Sequence, residues 1–439
     1  MNITCVLDKD ISQLYESFDN NDQWNIINNQ SYNPILEKCF NIKNNLDNVH
    51  YLRLNHKYMI TKFHSKTEGA YIFDIKNTLN NVKENSIPIF VKTCHLIDPI
   101  RYMMDEYLPI NYSRLPYLQT QKRNFNKKIQ DPNNKAYIDS FFCFLSSKLV
   151  ENDICPHFPI FYGQHCGISK SYEYDISEDL YSIKNLSWFH KNLNKLFTIG
   201  QKQNNSLIML NKQQIINDYE LSRNNSVRGS FYRHGSFKMI NDNIDDIVSI
   251  GDNNIELEDY LNDDKHSCVE SVVSNDTSPM NRSDTQSPFN KSILSYDNST
   301  DEDDEEDNEY ICILKDFPVM TTYLEKCIGT LEDLCDIKPQ LDVWGSYLFQ
   351  IIFTLSIAQQ YYDFTHNDLH CNNIMYQKTD KTFLYYQVSN VYFKIPTFGM
   401  IIKIIDFGRA IYNYNNKLLC SDSFSSNGTA PYIEYSGTG

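Results

Sequence analysis

An α+β chain in two lobes, strand-rich toward its N-terminus and helix-led toward its C-terminus, is predicted by three observations. The run Ser86-Ile87-Pro88-Ile89-Phe90-Val91-Lys92 is short, mostly apolar and closes on a lysine, which predicts a strand from Ile89 onward. Trp344, Leu348, Ile351, Ile352, Leu355 and Ala358 recur at three- and four-residue steps, predicting one apolar helical stripe from Val343 to Tyr361 that packs in the core. Two polar clusters follow that helix: His366-Asn367-Asp368-Leu369-His370-Cys371-Asn372-Asn373, and Asp406-Phe407-Gly408 behind Ile404-Ile405.

The remaining elements are read in chain order. Ile138, Phe141, Phe142, Leu145 and Leu149 share a face, so a helix is expected from about Ala136 to Val150. It carries Asp139 near its start and Glu151 at its end. A strand lysine that is buried needs an acidic partner, and Asp139 is the candidate. Phe317 to Cys327 reads as a β-rich strand becoming a connector, with a short helix at Thr330-Leu331-Glu332-Asp333-Leu334. Two β-like runs, 382–388 and 391–395, flank Ser389-Asn390 and predict a hairpin between the two polar clusters.

Those clusters carry the chemistry. A carboxylate, an amide five residues later and a second carboxylate before a glycine are what phosphoryl transfer needs at one point in space. Asp368 would accept or orient the proton of an attacking hydroxyl. Asn373 and Asp406 would offer oxygens to Mg²⁺, a hard cation that prefers such ligands.

In that order and spacing, His-x-Asp-Leu-x-x-x-Asn followed by Asp-Phe-Gly, the chain resembles a eukaryotic-type protein kinase domain, closest to the divergent kinase-like proteins of large DNA viruses and to the haspin-like group. His370 stands where most protein kinases have lysine, as in haspin-like kinases and small-molecule phosphotransferases. The resemblance covers Lys62 to about Gly408 and implies a kinase-like two-lobed fold. It implies that Lys92 grips the α- and β-phosphates of ATP, paired with Asp139 where kinases usually have glutamate. Gly69, the third glycine position in His64 to Tyr71, would belong to the phosphate-covering loop. The carbonyl of Glu325 and the amide of Cys327 would meet adenine. The cofactors implied are ATP and Mg²⁺, and the acceptor a Ser or Thr hydroxyl of a protein substrate.

The chain departs from the pattern in three places. Side chains replace the first two loop glycines, which restricts φ and leaves the nucleotide less room. Asn367 replaces the arginine that would hold a phosphorylated activation segment. Only 31 residues follow Gly408 (439 − 408), so a truncated C-lobe with exposed apolar surface and low stability is expected, and Leu418 to Gly439 reads as polar loop in which 428–434 faintly resembles the end of an activation segment.

Composition sets the organisation and excludes some classes. The expected division is an N-terminal extension (1–59), an N-lobe (60–168), an acidic Asn/Ser-rich insertion that is largely disordered (169–309), a last N-lobe strand and hinge (310–330) and a partial C-lobe (331–439). Within the insertion, 188–216 is richer in apolar residues and is read as a helical element. A net charge of −16 argues against nucleic-acid binding by the whole chain. Twelve cysteines without Cys-x-x-Cys spacing are expected to be reduced thiols, and no signal peptide or run of eighteen apolar residues is visible, so an intracellular, cytoplasmic protein off the membrane is expected.

Two other classes stay open: a pseudokinase scaffold, suggested by the glycine loop and partial C-lobe, and a small-molecule phosphotransferase, suggested by Asp-Leu-His. Ser226 and Ser236 each follow an arginine by three residues, and Ser278 and Ser287 each precede proline. If the chain modifies itself there, phosphopeptide maps of the wild type and of Asp368→Asn will differ at these serines; identical maps exclude self-modification.

Overall fold

The computed structural model describes residues 3–40, 42, 51–67, 69–107, 114–118, 126–203, 206–215, 309–336 and 339–425. By contacts the chain forms two units, Met1–Asn225 with Asp307–Gly439, and Ser226–Glu306. The second unit lies outside the described residues, as do the four serines above, the acidic run 301–307 and the stretch 428–434.

β-Branched and aromatic residues crowd Phe317–Glu325, which suits it to the middle of a sheet, and it is buried from Phe317 to Leu324. It pairs antiparallel with Phe161–Ser169 on one side and with the lysine strand, Lys83–His95, on the other. Ala70–Asn77 and Tyr58–Thr67 extend the sheet beyond the lysine strand, and Ile26–Gln30 closes the opposite edge to make six strands. Lys92 lies opposite Thr322 in this register. The two-residue period then sends Phe90, Lys92 and Cys94 to one face.

The helix Lys135–Glu151 covers that face. It is buried at every position from Ala136 to Leu149, well beyond the predicted stripe, because both ends of the chain also pack on it. Phe40 meets Phe141 from the N-terminal side, and Phe364 stacks on Phe142 from the C-terminal side with centroids 4.2 Å apart. Asn134 caps its start by accepting from the amide of Ala136.

The opposite face of the sheet is covered by the first residues of the chain, which corrects the expectation of a separate extension over 1–59. The helix Ile11–Asp19 buries Ile11, Leu14 and Phe18, and the Phe18 ring stacks on Trp24 at 4.1 Å. Phe63, Phe73 and Tyr323 of three strands surround that pair. A sheet apolar on both faces needs a layer on each. With Ile26–Gln30 as its edge strand, the sheet incorporates the segment.

The insertion is also corrected over its first part. Tyr172–Asp175, Phe197–Gln203, Ser206–Met209 and Glu309–Leu314 form a second, four-stranded antiparallel sheet with the helices Ser177–Ile183 and Ser187–Asn192 beside it. Within 188–216, then, helix is found at the first residues and again at 212–215, with a hairpin between them. Alternating burial of Phe197 and Ile199 against Cys312 and Leu314 supplies a core that the surrounding Asn and Ser dilute in composition.

Toward the C-terminus, the helix Leu331–Asp336 precedes the long helix Leu341–Tyr362. Gly329–Thr330, Ile374–Lys378 and Met400–Ile404 make a three-stranded sheet, with the 3-10 turn Cys371–Asn373 leading into it. The predicted hairpin is Phe383–Val388 with Val391–Pro396, turned by Ser389 and Asn390, both at positive φ. Of the stretch read as a polar loop after Leu418 the described part ends at residue 425, and there Ile411–Tyr414 pairs with Lys417–Cys420 and Asp422 accepts from the Lys135 amide.

The long helix is rotated from the expected register. Tyr347, Ile351, Thr354, Ala358 and Tyr362 are buried, while Leu348 and Ile352 of the predicted stripe are 51% and 63% exposed. Both faces are apolar, so the period alone did not choose between them. By length and composition this helix is apolar enough to cross a bilayer, but it buries Gln350, whose side chain accepts from the Ile402 amide within the fold. Truncating Ile351 to Ala is expected to cost about 2–5 kcal/mol of unfolding free energy and Ile352→Ala within about 0.5 kcal/mol of zero, as read by denaturant titration.

Candidate active site

Lys92 is where three elements meet. Its ammonium lies 2.7 Å from Asp139 Oδ2 on the helix and 3.1 Å from Asp406 Oδ1 in the Asp-Phe-Gly segment. Burial alone would depress the Lys92 pKa, but the two carboxylates outweigh it and hold it well above the ordinary lysine value. Burial raises the Asp139 carboxyl despite Lys92, whereas Lys92 holds Asp406 below the ordinary carboxylate range. The second oxygen of Asp139 accepts from the Phe407 amide at 2.7 Å, so the helix and the Asp-Phe-Gly segment are joined directly.

Aromatic packing fixes that segment. Phe407 is buried against Phe142 of the helix, with centroids 4.7 Å apart, and against His366 at 5.7 Å. His366 pairs through Nε2 with the carbonyl of Ile405 at 2.9 Å. The loop 366–373 and the Asp-Phe-Gly segment are thereby tied side by side, helped by the Ile405 amide donating to the Asn373 carbonyl.

Asp368 and Asn373 come together within this loop. Asn373 Nδ2 donates to the Asp368 carbonyl at 2.8 Å and lies 3.0 Å from His370 Nε2. Asn367 and Asp406 both adopt left-handed backbone, φ 61° and 62°, which aims the loop and the Asp-Phe-Gly turn at the cost of local strain. Asp368 Oδ1 receives a 2.7 Å bond from Arg409, and the Arg409 carbonyl accepts from Asn367 Nδ2. Arg409 was not among the residues singled out from sequence. Its position directly after Gly408 was the available signal.

Two cavities adjoin these groups. One of about 400 Å³ is walled by Phe90, Leu324, Met375 and Ile405, with Glu325 and Cys327 of the connector and Gly69 also lining it. The other, about 310 Å³, is lined by Asp139, Asp368, Arg409 and Lys135. Lys92 and Asp406 line both. Gly69, at φ 73°, belongs to a tight connection in which Thr67 pairs with Ala70. The Glu325 carboxylate is held by Lys403 at 3.0 Å and its amide donates to the Ile160 carbonyl, which leaves its own carbonyl as the part that can serve a ligand.

The structure thus brings Lys92, Asp139, Asp406, Asp368 and Asn373 into one linked cluster and sets Gly69, Glu325 and Cys327 around the larger cavity. No protein-family model matches the chain. Short stretches are similar to known proteins. A protein of Acanthamoeba polyphaga mimivirus named as serine/threonine-protein kinase R400 is 36% identical over 74 residues, 15% of this chain and 16% of that protein. A second mimivirus protein named in the same way, R301, is 44% identical over 69 residues, covering 15% and 17%. A Dictyostelium discoideum protein named as a serine/threonine-protein kinase is 37% identical over 86 residues, 16% of this chain and 7% of that protein. The chain therefore spans less than a fifth of each of these relatives, and its local sequence is kinase-like.

Replacing Lys92 by Met strands the buried Asp139 carboxylate. The expected loss is about 3–5 kcal/mol at pH 8. An acid whose folded pKa is raised costs stability as pH climbs above its unfolded value, so the deficit shrinks at pH 5. Denaturant unfolding of both proteins at the two pH values checks this.

Proposed function

We propose that this chain transfers the γ-phosphoryl group of ATP to a Ser or Thr hydroxyl of a protein substrate. The observation that carries the reading is Lys92, held between Asp139 and Asp406 where an apolar cavity meets a charged one that also contains Asp368. An adenine ring suits the apolar cavity, and phosphates extending from it would reach Lys92. Asp368 would then accept or orient the proton of the incoming hydroxyl, a role that needs an acceptor within hydrogen-bond reach of the nucleophile.

The donor set fits Mg²⁺. Among the described residues no three His, Cys, Asp or Glu side chains cluster as a protein-only metal site, whereas Mg²⁺ usually takes one or two protein ligands and phosphate oxygens. Asn373 uses its amide nitrogen on Asp368 and His370, which leaves its oxygen for a cation, and Asp406 supplies the carboxylate. When bound, the ion would neutralise charge on the phosphates. Lys92 would orient them and Asp139 would hold Lys92 in place.

The names of the matched relatives support a serine/threonine kinase in general. The haspin-like leaning rests on Asp368-Leu369-His370 alone, and the matches lend it no support. An intracellular setting is consistent with the eleven cysteines of the described residues, all of which are unpaired. A scaffold reading is favoured by one feature, the Asp368 carboxylate engaged by Arg409. Turnover separates the two. Magnesium- and ATP-dependent phosphate incorporation is expected, falling at least about a hundredfold in Asp368→Asn. No nucleotide-induced rise in Tm at millimolar ATP with Mg²⁺ would overturn the kinase reading.

A further inference from the structure

We propose that Arg409 is a phosphate-binding residue: the guanidinium that rests on Asp368 is the cation that takes the terminal phosphate of a bound nucleoside triphosphate. The inference rests on the nucleotide reading of the site and adds to it a residue and an order of events.

Position comes first. Arg409 lines the charged cavity, and Lys92 and Asp406 join that cavity to the apolar one. A triphosphate whose base occupies the apolar cavity therefore points its last phosphate toward Arg409.

Charge argues the same way. Three carboxylates, Asp139, Asp368 and Asp406, line the charged cavity, and Lys92 is already shared between two of them. Another anion needs another cation. His370 does not supply it here, since its Nε2 is engaged with the Asn373 amide. Lys135 also lines this cavity, but its single ammonium lacks the planar fork of donors that matches a phosphate. Arginine stays charged at any working pH and offers a planar fork of donors that matches phosphate oxygens.

The mechanics allow the transfer. Ser421 Oγ donates to the Gly408 carbonyl at 2.6 Å and Asn367 to that of Arg409 at 3.0 Å, so the backbone is pinned on both sides. The side chain is 42% exposed, and its charged partner among the described residues is Asp368. An ion pair so open to water is weak, so a phosphate can displace it without moving the main chain. That displacement frees the Asp368 carboxylate. Nucleotide binding would thus expose the base to the hydroxyl substrate, coupling the two binding events.

The test uses the full chain and two probes with Mg²⁺, a non-hydrolysable ATP analogue and ADP, titrated against wild type, Arg409→Gln and Arg409→Lys. Arg409→Gln is expected to weaken the triphosphate analogue about tenfold while ADP stays within about twofold of wild type, and lysine is expected to restore part of the difference. Retained ADP binding also certifies that each variant is folded. An unchanged triphosphate-to-diphosphate ratio, or an equal loss of both ligands in both variants, overturns the role of Arg409. Failure of wild type to bind either nucleotide overturns the reading of the site itself, and the inference with it.

Discussion

The site depends on one lysine holding two carboxylates. Asp139 is buried in the middle of the domain, where an unpaired charge would be prohibitive, and the Lys92 ammonium at 2.7 Å makes that burial tolerable. Because Lys92 also reaches Asp406, the lysine strand, the helix Lys135–Glu151 and the Asp-Phe-Gly segment cannot shift independently. The amide of Phe407 donating to Asp139 closes the loop of constraints.

Aromatic packing carries that constraint outward. Phe142 touches Phe364, Phe407 and Tyr412, so one helical side chain orders the residues on both sides of the loop 366–373. On the far side of the sheet, Phe18 and Trp24 seal the face beneath Tyr323. The central strand is therefore buried on both sides, and the connector that follows it starts from a rigid base. Precise placement of polar groups at the cavities follows from rigid elements around them.

Legibility differed from element to element. The lysine strand, the helix after it and the hairpin around Ser389-Asn390 were readable because each has a clean local period or turn signal. Asp139 could be singled out because it stands in the first turns of an apolar helix that follows a strand lysine. The register of Leu341–Tyr362 was not readable, since apolar residues occur on both faces and only packing selects the face with Tyr347 and Ile351. Strands 197–203 and 309–314 pair across more than a hundred residues, a relation that a local window of Asn and Ser conceals.

The amino-acid sequence by itself determined the residue types and their order: a strand lysine, an acid on a later helix, then Asp368, Asn373 and Asp406. These are local facts, written in spacing and side-chain chemistry. Only the tertiary structure decided that Arg409 pairs with Asp368, that the first forty residues complete the sheet, and that Lys92 bridges two acids at once. Each of these joins groups far apart in the chain, and such contacts are settled by burial and charge compensation in the folded core, which no local pattern records.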